Sequence, residues 1–424
     1  MTGVRITALC DCDKSVLDAE VKKFQDKNQP VEGFIDIRKL LESKNVDVVT
    51  IATPNHWHSL AGIWAVQADK DVYVEKPVSH NVSEGRRLVE FARKHNRIVQ
   101  AGTQSRSSIT GITEAVAWVR AGNLGKIQIS RALCYKPRGS IGKVDGPQPI
   151  PPEIDYELWC GPALKLPLMR KRLHYDWHWV WNTGNGDLGN QGIHEMDVAR
   201  WFLGVNELAP QVLSIGGRLG YIDDGETPNT QIIFQDYPGA PLIFEVRGLP
   251  SKTGSMQMDK YKGAGVGNVV ECDGGYVTVP NYTSATAYDK DGKVIKEFKG
   301  SESHYANFIK AVRSRKLEDL HADILEGHLS SALCHTGNIS YQLGKMSSQG
   351  EVQEKLKSDK AAQETFGRMA EHLAANGVDI VKEPVTLGVL LKLDPKKERF
   401  IGNDKANELI TRPYRPGFVV PAKA

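Results

Sequence analysis

Apolar and polar positions alternate over residues 4 to 10 (VRITALC), where β-branched side chains dominate, and Leu17, Val21 and Phe24 follow at helical spacing behind Asp13 and Ser15, two residues suited to capping. The pattern predicts a strand and then a helix. It repeats as VDVVTIA (46 to 52) with a helix from about His58 to Ala68, VYVE (72 to 75) with a helix opened by Ser83 and turning Leu88 and Phe91 inward, and IVQAG (98 to 102). Strands that alternate with helices, several of them continuously apolar, predict a parallel sheet covered on both faces. Beyond about residue 105 the texture changes to Pro/Gly-rich loops (136 to 152 and 159 to 167) and alternating runs at 211 to 216, 231 to 235, 242 to 247 and 276 to 279, which predict a second, mostly antiparallel sheet. Helical periodicity returns over 304 to 314, 323 to 345 and 360 to 375, a strand-like run covers 385 to 393, and the tail is expected to fold onto the second domain. The division is therefore residues 1 to 105 and 106 to 424.

Composition narrows the classes of function. Fifty-four Lys+Arg against 51 Asp+Glu leave a net charge of +3, too little for nucleic acid or anionic lipid to be the main partner. No apolar run approaches the roughly 20 residues of a bilayer helix, so a small-molecule partner is expected and no membrane. The six cysteines are sparse and irregular, no secretory signal is read at the start, and a cytoplasmic location fits the chain as given. Cys10 and Cys12 lack a second pair at ligand spacing, so no metal is expected.

Ligands of parallel α/β sheets bind at the carboxyl ends of the strands, which here carry Asp11, Thr53, Pro54, Asn55, Glu75, Lys76 and Gln104. An aspartate ending the first strand suits the ribose hydroxyls of a dinucleotide, or serves a turn. Pro77 forces the chain to turn and aims Lys76 into the cleft. A lysine desolvated beside a cationic nicotinamide has a lowered pKa and can bind or protonate a substrate oxygen; a solvated loop lysine is the alternative. Between His174 and Asp197 the chain gathers Asp176, His178, Asp187, Asn190, His194 and Glu195, with Tyr175, Trp177, Trp179 and Trp181 at alternate positions of an expected strand. Flat rings flanked by amides and imidazoles suit a sugar, and equally a packed aromatic cluster. Asn190 and His194 are spaced to share one face of a helix. GNGDLG (184 to 189) matches GxGxxG, but the aromatic stretch before it argues against a dinucleotide turn.

In order and spacing, TPNHWH (53 to 58), DVYVEKP (71 to 77), GTQSR (102 to 106) and GIHEMDVARWFLG (192 to 204) together resemble the Gfo/Idh/MocA family over most of the chain. The resemblance implies an N-terminal Rossmann domain and a C-terminal α/β domain with a large, mostly antiparallel open sheet through which homo-oligomers form. It also implies NAD- or NADP-dependent oxidation of a CH–OH group of a sugar, sugar derivative or cyclic polyol. Carried over, Lys76 is the EKP lysine beside nicotinamide and substrate, and His194 is a general base with Asn190 preceding it. Asp11, Thr53, Pro54, Asn55, His58, Glu75 and Gln104 are expected around the cofactor, and Arg106, Tyr175, Trp177, His178 and Trp179 around the substrate with Asn190 and His194. Two departures stand out. Asn190 replaces the family's aspartate four residues before the histidine and cannot accept a proton. The chain as given opens at the family's second strand, without the Gly-rich turn, so the expectation is a truncated Rossmann-like sheet. Such a sheet has an exposed edge, a pyrophosphate site weaker by about 1 kcal/mol or more per lost hydrogen bond, and any export signal lost. Two further readings remain: an NAD-dependent glycoside hydrolase working by transient oxidation and elimination, and a non-catalytic sugar-binding remnant.

Overall fold

The computed structural model describes residues 3 to 424. Its N-terminal part runs β1 (Ala8–Cys10), α1 (Lys14–Gln25), β2 (Glu32–Phe34), α2 (Ile37–Leu41), β3 (Val48–Ile51), α3 (His58–Gln67), β4 (Asp71–Val74), α4 (Val82–Lys94) and β5 (Val99–Ala101). Asp13 starts α1 by accepting from the amides of Ser15 and Val16, while Asn81, two residues before the expected Ser83, caps α4 by accepting from the amide of Glu84. All pairings here are parallel, but they fall into two sheets, β1–β2 and β3–β4–β5, and among the described residues no strand joins them. The helix α3 is apolar all round because it is covered on every side, and Leu60, Ile63 and Leu88 are sealed against Val72 and Val74.

After α5 (Glu114–Arg120) the chain builds a large sheet from β6 (Ile127–Tyr135), β7 (Gln211–Gly217), β8 (Thr230–Asp236), β9 (Leu242–Arg247), β10 (Val266–Cys272), β11 (Gly275–Asn281), β12 (Ser284–Asp289) and β13 (Val294–Lys299). Between β6 and β7 lie α6 (Tyr156–Cys160), α7 (Gly186–Asn190) and α8 (Gly192–Leu203); after β13 come α9 (His304–Ser314), α10 (Ile324–Gln342), β14 (Lys345–Ser347), α11 (Gln349–Leu356) and α12 (Lys360–Ala375). The chain closes with β15 (Val385–Leu387), β16 (Leu391–Asp394), β17 (Arg399–Phe400) and α13 (Asp404–Glu408). The strand order is β13-β12-β11-β10-β6-β9-β8-β7-β15-β14, antiparallel except for β6 beside β9. α8 and α10 bury Ile193, Met196 and Leu333 against Phe244 on one face, and α11 and α12 bury Leu356, Phe366 and Leu373 against Ile215 and Ile232 on the other.

The structure departs from the expectation in three places. The aromatic run is not a strand: Tyr175 takes φ +64° and Asp176–Trp179 form a single 3-10 turn, so rings at alternate positions pack within a loop. The strand-like run at 385 to 393 is two strands separated at Gly388, whose Cβ, if present, would lie 2.5 Å from the Ser214 carbonyl oxygen. The tail folds onto the second domain, as expected, through α12 against β7 and β8 and through β15 and β16 in the large sheet, but its last residues do not. Tyr414, Phe418 and Val420 join the core of the parallel domain, because Trp57 and Trp64 present an apolar face there; Phe418 sits 5.7 and 6.3 Å from those rings.

Candidate active site

The carboxyl ends of β3, β4 and β5 converge where expected, at Thr53 to Asn55, Glu75 to Pro77 and Gly102 to Gln104. The approach is close enough that a Cβ on Gly102 would lie 2.7 Å from Glu75 Oε2. The Lys76–Pro77 peptide is cis, and Lys76 Nζ donates to the carbonyl of Asn190 at 3.0 Å, crossing from the parallel domain to the junction of α7 and α8. Burial lowers the Lys76 pKa, with Glu75 and Glu195 acting in the opposite sense.

At that junction Gln191 is a hub. Lys136 Nζ, from the end of β6, donates to Gln191 Oε1 at 2.7 Å, and Gln191 Nε2 donates to Glu195 Oε1 at 3.2 Å and to the Tyr282 hydroxyl at 2.8 Å. The Tyr282 ring lies 4.7 Å from that of His194. Burial, and secondarily the charge of Lys76, pushes the His194 pKa down to about 3, while burial pushes Glu195 up to about 8. Asn190 and His194 straddle two helices rather than sharing one, since α7 ends at Asn190 and the His194 amide donates to the Gln191 carbonyl. The glycines of GNGDLG serve packing in this domain: a Cβ on Gly184 would lie 2.4 Å from the His178 carbonyl oxygen, and Gly186 takes φ +66° at the start of α7.

Arg138 donates to both carboxylate oxygens of Asp187 at 2.8 and 2.7 Å and to the Tyr175 hydroxyl at 2.9 Å, with its guanidinium 5.2 Å from the Trp179 ring centroid. Tyr175 is exposed and forms an aromatic rim; Trp177 stacks on His178 at 3.6 Å. Burial, with Lys76 and Arg138 nearby, holds His178 neutral with a pKa of about 4.

Other predicted residues are committed internally. Both ring nitrogens of His58 face carbonyls, of Pro77 and of Thr53, at 2.6 Å, so this ring braces the two strand ends. Asn55 Nδ2 donates to Asn185 Oδ1, and Pro54 precedes that turn. Arg106, read as a substrate contact, is buried: it donates twice to Asp197 at 2.8 and 2.9 Å and lies 2.9 Å from Glu326. Its guanidinium fastens α8 and α10 to the end of β5. Asp11 Oδ1 accepts from the Asp13 amide, a turn role, yet the residue stays half-buried and its other oxygen is not used by that turn. Thr53 is exposed, and Glu75, Lys76 and Gln104 are half-buried at adjoining strand ends. These groups fit the ribose and nicotinamide ends of a dinucleotide. Lys136, Gln191 and Tyr282 were not anticipated; Lys136, in KPR at a strand end like Lys76 in EKP, carried a usable signal, whereas Tyr282 carried none.

Two family models match this chain. The one for an oxidoreductase family with an NAD-binding Rossmann fold covers residues 3 to 103, and the one for the C-terminal alpha/beta domain of an oxidoreductase family covers residues 118 to 370. A glycosyl hydrolase family 109 protein of Shewanella sp. (strain MR-4) is 30% identical over 99 residues, 22% of this chain and 22% of that protein, so the chain matches about a fifth of the length of such curated relatives. Among solved structures, the WlbA dehydrogenase of Bordetella pertussis, in complex with NADH and UDP-GlcNAcA, superimposes with a TM-score of 0.55 at 19% identity, covering 78% of this chain and 85% of that one. Levoglucosan dehydrogenase, in complex with NADH and levoglucosan, gives a TM-score of 0.55 at 14% identity over 78% of this chain and 86% of that one. At such identities the likeness is one of fold.

Proposed function

The chain belongs to the Gfo/Idh/MocA oxidoreductase family, and from that premise we propose that it oxidises a CH–OH carbon of a sugar, sugar derivative or cyclic polyol with NAD or NADP. The observation that carries the reading is the Lys76 Nζ to Asn190 carbonyl contact, which brings the strand-end lysine to the helix junction that bears His194. Asp11 would accept the ribose hydroxyls, and Thr53, Glu75, Lys76 and Gln104 would line the path toward the reacting end. A bound nicotinamide supplies the acceptor of two electrons and a hydrogen. Lys76, held with a lowered pKa by burial, binds the substrate hydroxyl and stabilises the developing alkoxide. His194 takes up the hydroxyl proton. Tyr175 and Trp177 offer apolar ring faces to the CH face of the sugar, and Arg138, Lys136 and His178 offer polar heads beside them. The sugar-derivative ligands of the two structural neighbours support that substrate class.

A homo-oligomer formed through the large sheet is part of this reading. Since α12 already covers β7 and β8, the face formed by β11 to β13 is the part left for a second copy. The test of the function is fluorescence titration of NADH and NADPH into the protein, followed by NAD⁺-dependent turnover of a panel of hexoses, amino sugars, uronic acids and cyclic polyols. Saturable binding and oxidation of a panel member support it, and lack of either overturns it. The curated relatives favour one second reading, glycoside hydrolysis with NAD. Release of free sugar from an aryl glycoside without NADH accumulation would single it out.

A further inference from the structure

His194 and Glu195 are neighbours on α8, and both line one small pocket with Ser105, Asn268 and Tyr282. In it, His194 Nδ1 and Glu195 Oε2 are both sealed from solvent, and neither has a partner among the described residues. Gln191 occupies the other oxygen, Oε1, so Oε2 is the one left to take a further partner. The pocket is water-sized, and two orphaned polar atoms on adjacent residues that line such a space are the kind of partners that one bridging water requires. We propose that Glu195 is the terminal proton acceptor of the site, receiving the substrate's hydroxyl proton from His194 through one water held in this pocket. The inference rests on the dehydrogenase reading above.

The step balances as follows. The substrate O–H bond breaks and its proton goes to His194 Nε2, the proton on Nδ1 passes to the water, and a proton of the water goes to Glu195 Oε2. The carbinol C–H hydrogen leaves with its electron pair to the oxidised nicotinamide dinucleotide, and the carbon–oxygen double bond forms. His194 ends neutral with its tautomer exchanged, and Glu195 ends as a carboxylic acid.

Proton affinities explain why a relay is needed. An imidazole held to a pKa of about 3 cannot keep a proton near neutrality, whereas a carboxyl raised to about 8 can. Around Glu195, Lys76 at the end of β4 favours the carboxylate and Asp187 on α7 opposes it. The thiols of Cys134 on β6 and Cys334 on α10, and the Tyr282 hydroxyl from the β11–β12 hairpin, are all pushed toward their neutral forms with Glu195 as one cause. Oxidation, needing ionised Glu195, should accelerate as the pH rises through about 8.

The experiment pairs infrared and kinetic titrations of the full chain. In wild type minus Glu195→Gln difference spectra, a protonated-carboxyl band should be present near neutrality and vanish with a midpoint near pH 8. In wild type, kcat for sugar oxidation should rise through the same midpoint. Glu195→Gln should lower kcat about a hundredfold and abolish that rise while leaving NADH affinity unchanged, and Glu195→Asp should restore the pH dependence. Absence of the band, or a pH profile that Glu195→Gln leaves in place, overturns the proposal. Should no sugar be oxidised, the dehydrogenase reading fails separately. The titrating band together with a changed ¹⁵N shift of His194 Nδ1 in Glu195→Gln would then still support the linkage, and loss of either would overturn it.

Discussion

Lys76 Nζ donates to the backbone carbonyl of Asn190 at 3.0 Å, so a strand-end lysine of one domain is held by the helix junction of the other. A carbonyl partner satisfies the ammonium without supplying a negative charge, which is why burial dominates and the lysine's pKa falls.

Lys76→Met retains most of the apolar stem and removes the charge. We expect kcat/KM to fall by about 10²- to 10⁴-fold, with fold stability unchanged or slightly raised because a desolvated charge is removed. Steady-state kinetics beside urea unfolding separate the two effects, and unchanged turnover would remove Lys76 from the chemistry.

Asn190→Asp places a carboxylate on the residue whose carbonyl accepts from Lys76, four residues before His194. An anion there favours the charged forms of both, so their pKa values should rise. For His194 acting as a neutral base, the acid limb of the pH–rate profile should move to higher pH. An unmoved limb would show that the Asn190 side chain lies outside the field felt by the base.

Arg106→Ala tests a structural assignment. Its pair with Asp197 is buried on both sides, and removing the arginine leaves the carboxylate with Ser330 and a longer, 3.6 Å contact to Arg200, at a cost of about 3 kcal/mol. The midpoint of denaturant unfolding should fall accordingly. A variant that keeps its stability but loses substrate affinity would return Arg106 to the substrate.

The short motifs located the strand ends, because a buried lysine followed by proline, or a glycine at a strand terminus, has a local backbone cause. The same is true of α9 and α12, whose apolar spacing matched their observed residues. The roles of Arg106 and Gln191 were out of reach, since the carboxylate that occupies Arg106 and the tyrosine that binds Gln191 each lie 91 residues away in the chain. Alternate aromatics at 175 to 181 gave a strand pattern, but the chain there is a loop with a tight 3-10 turn in which Trp179 is buried and Tyr175 is exposed. β12 and β13 were missed because β12 has only two alanines and a tyrosine as apolar residues and β13 is largely exposed at the sheet edge.

Acid should destabilise the protein through its buried histidines. His56, His58, His194, His304 and His335 all have pKa values lowered by burial, to between about 3 and about 4. Below the ordinary histidine pKa the unfolded chain binds more protons than the native one, so stability is lost as pH falls from about 6.5, by about 1.4 kcal/mol per unit for each such residue. Glu84 and Glu195, with raised pKa values, act oppositely as the pH rises above the ordinary carboxyl range, but they are outnumbered. Thermal unfolding should therefore show a Tm that drops steeply between about pH 6.5 and 5. A flat Tm over that interval would mean that these rings are charged or accessible in the native state.

The tail gives the last test, because one ring is the largest of the buried groups that seat it on the parallel domain. Phe418 is 4% exposed, lies against Trp57 and Trp64, and is flanked by the guanidiniums of Arg38 and Arg415 at 5.3 and 5.1 Å from its centroid. Phe418→Ala removes a buried aromatic from a packed site and should cost about 3–5 kcal/mol. Trp57 ends the 3-10 turn that Asn55 opens and leads into α3, so loosening the tail should also weaken NADH binding, whereas a ring that serves packing alone would lower stability and leave the affinity of the folded protein unchanged. Phe418→Leu, which keeps apolar volume, should recover most of both. Measuring NADH affinity well below the Tm of each variant distinguishes a tail that supports the strand ends from one that merely covers a tryptophan pair.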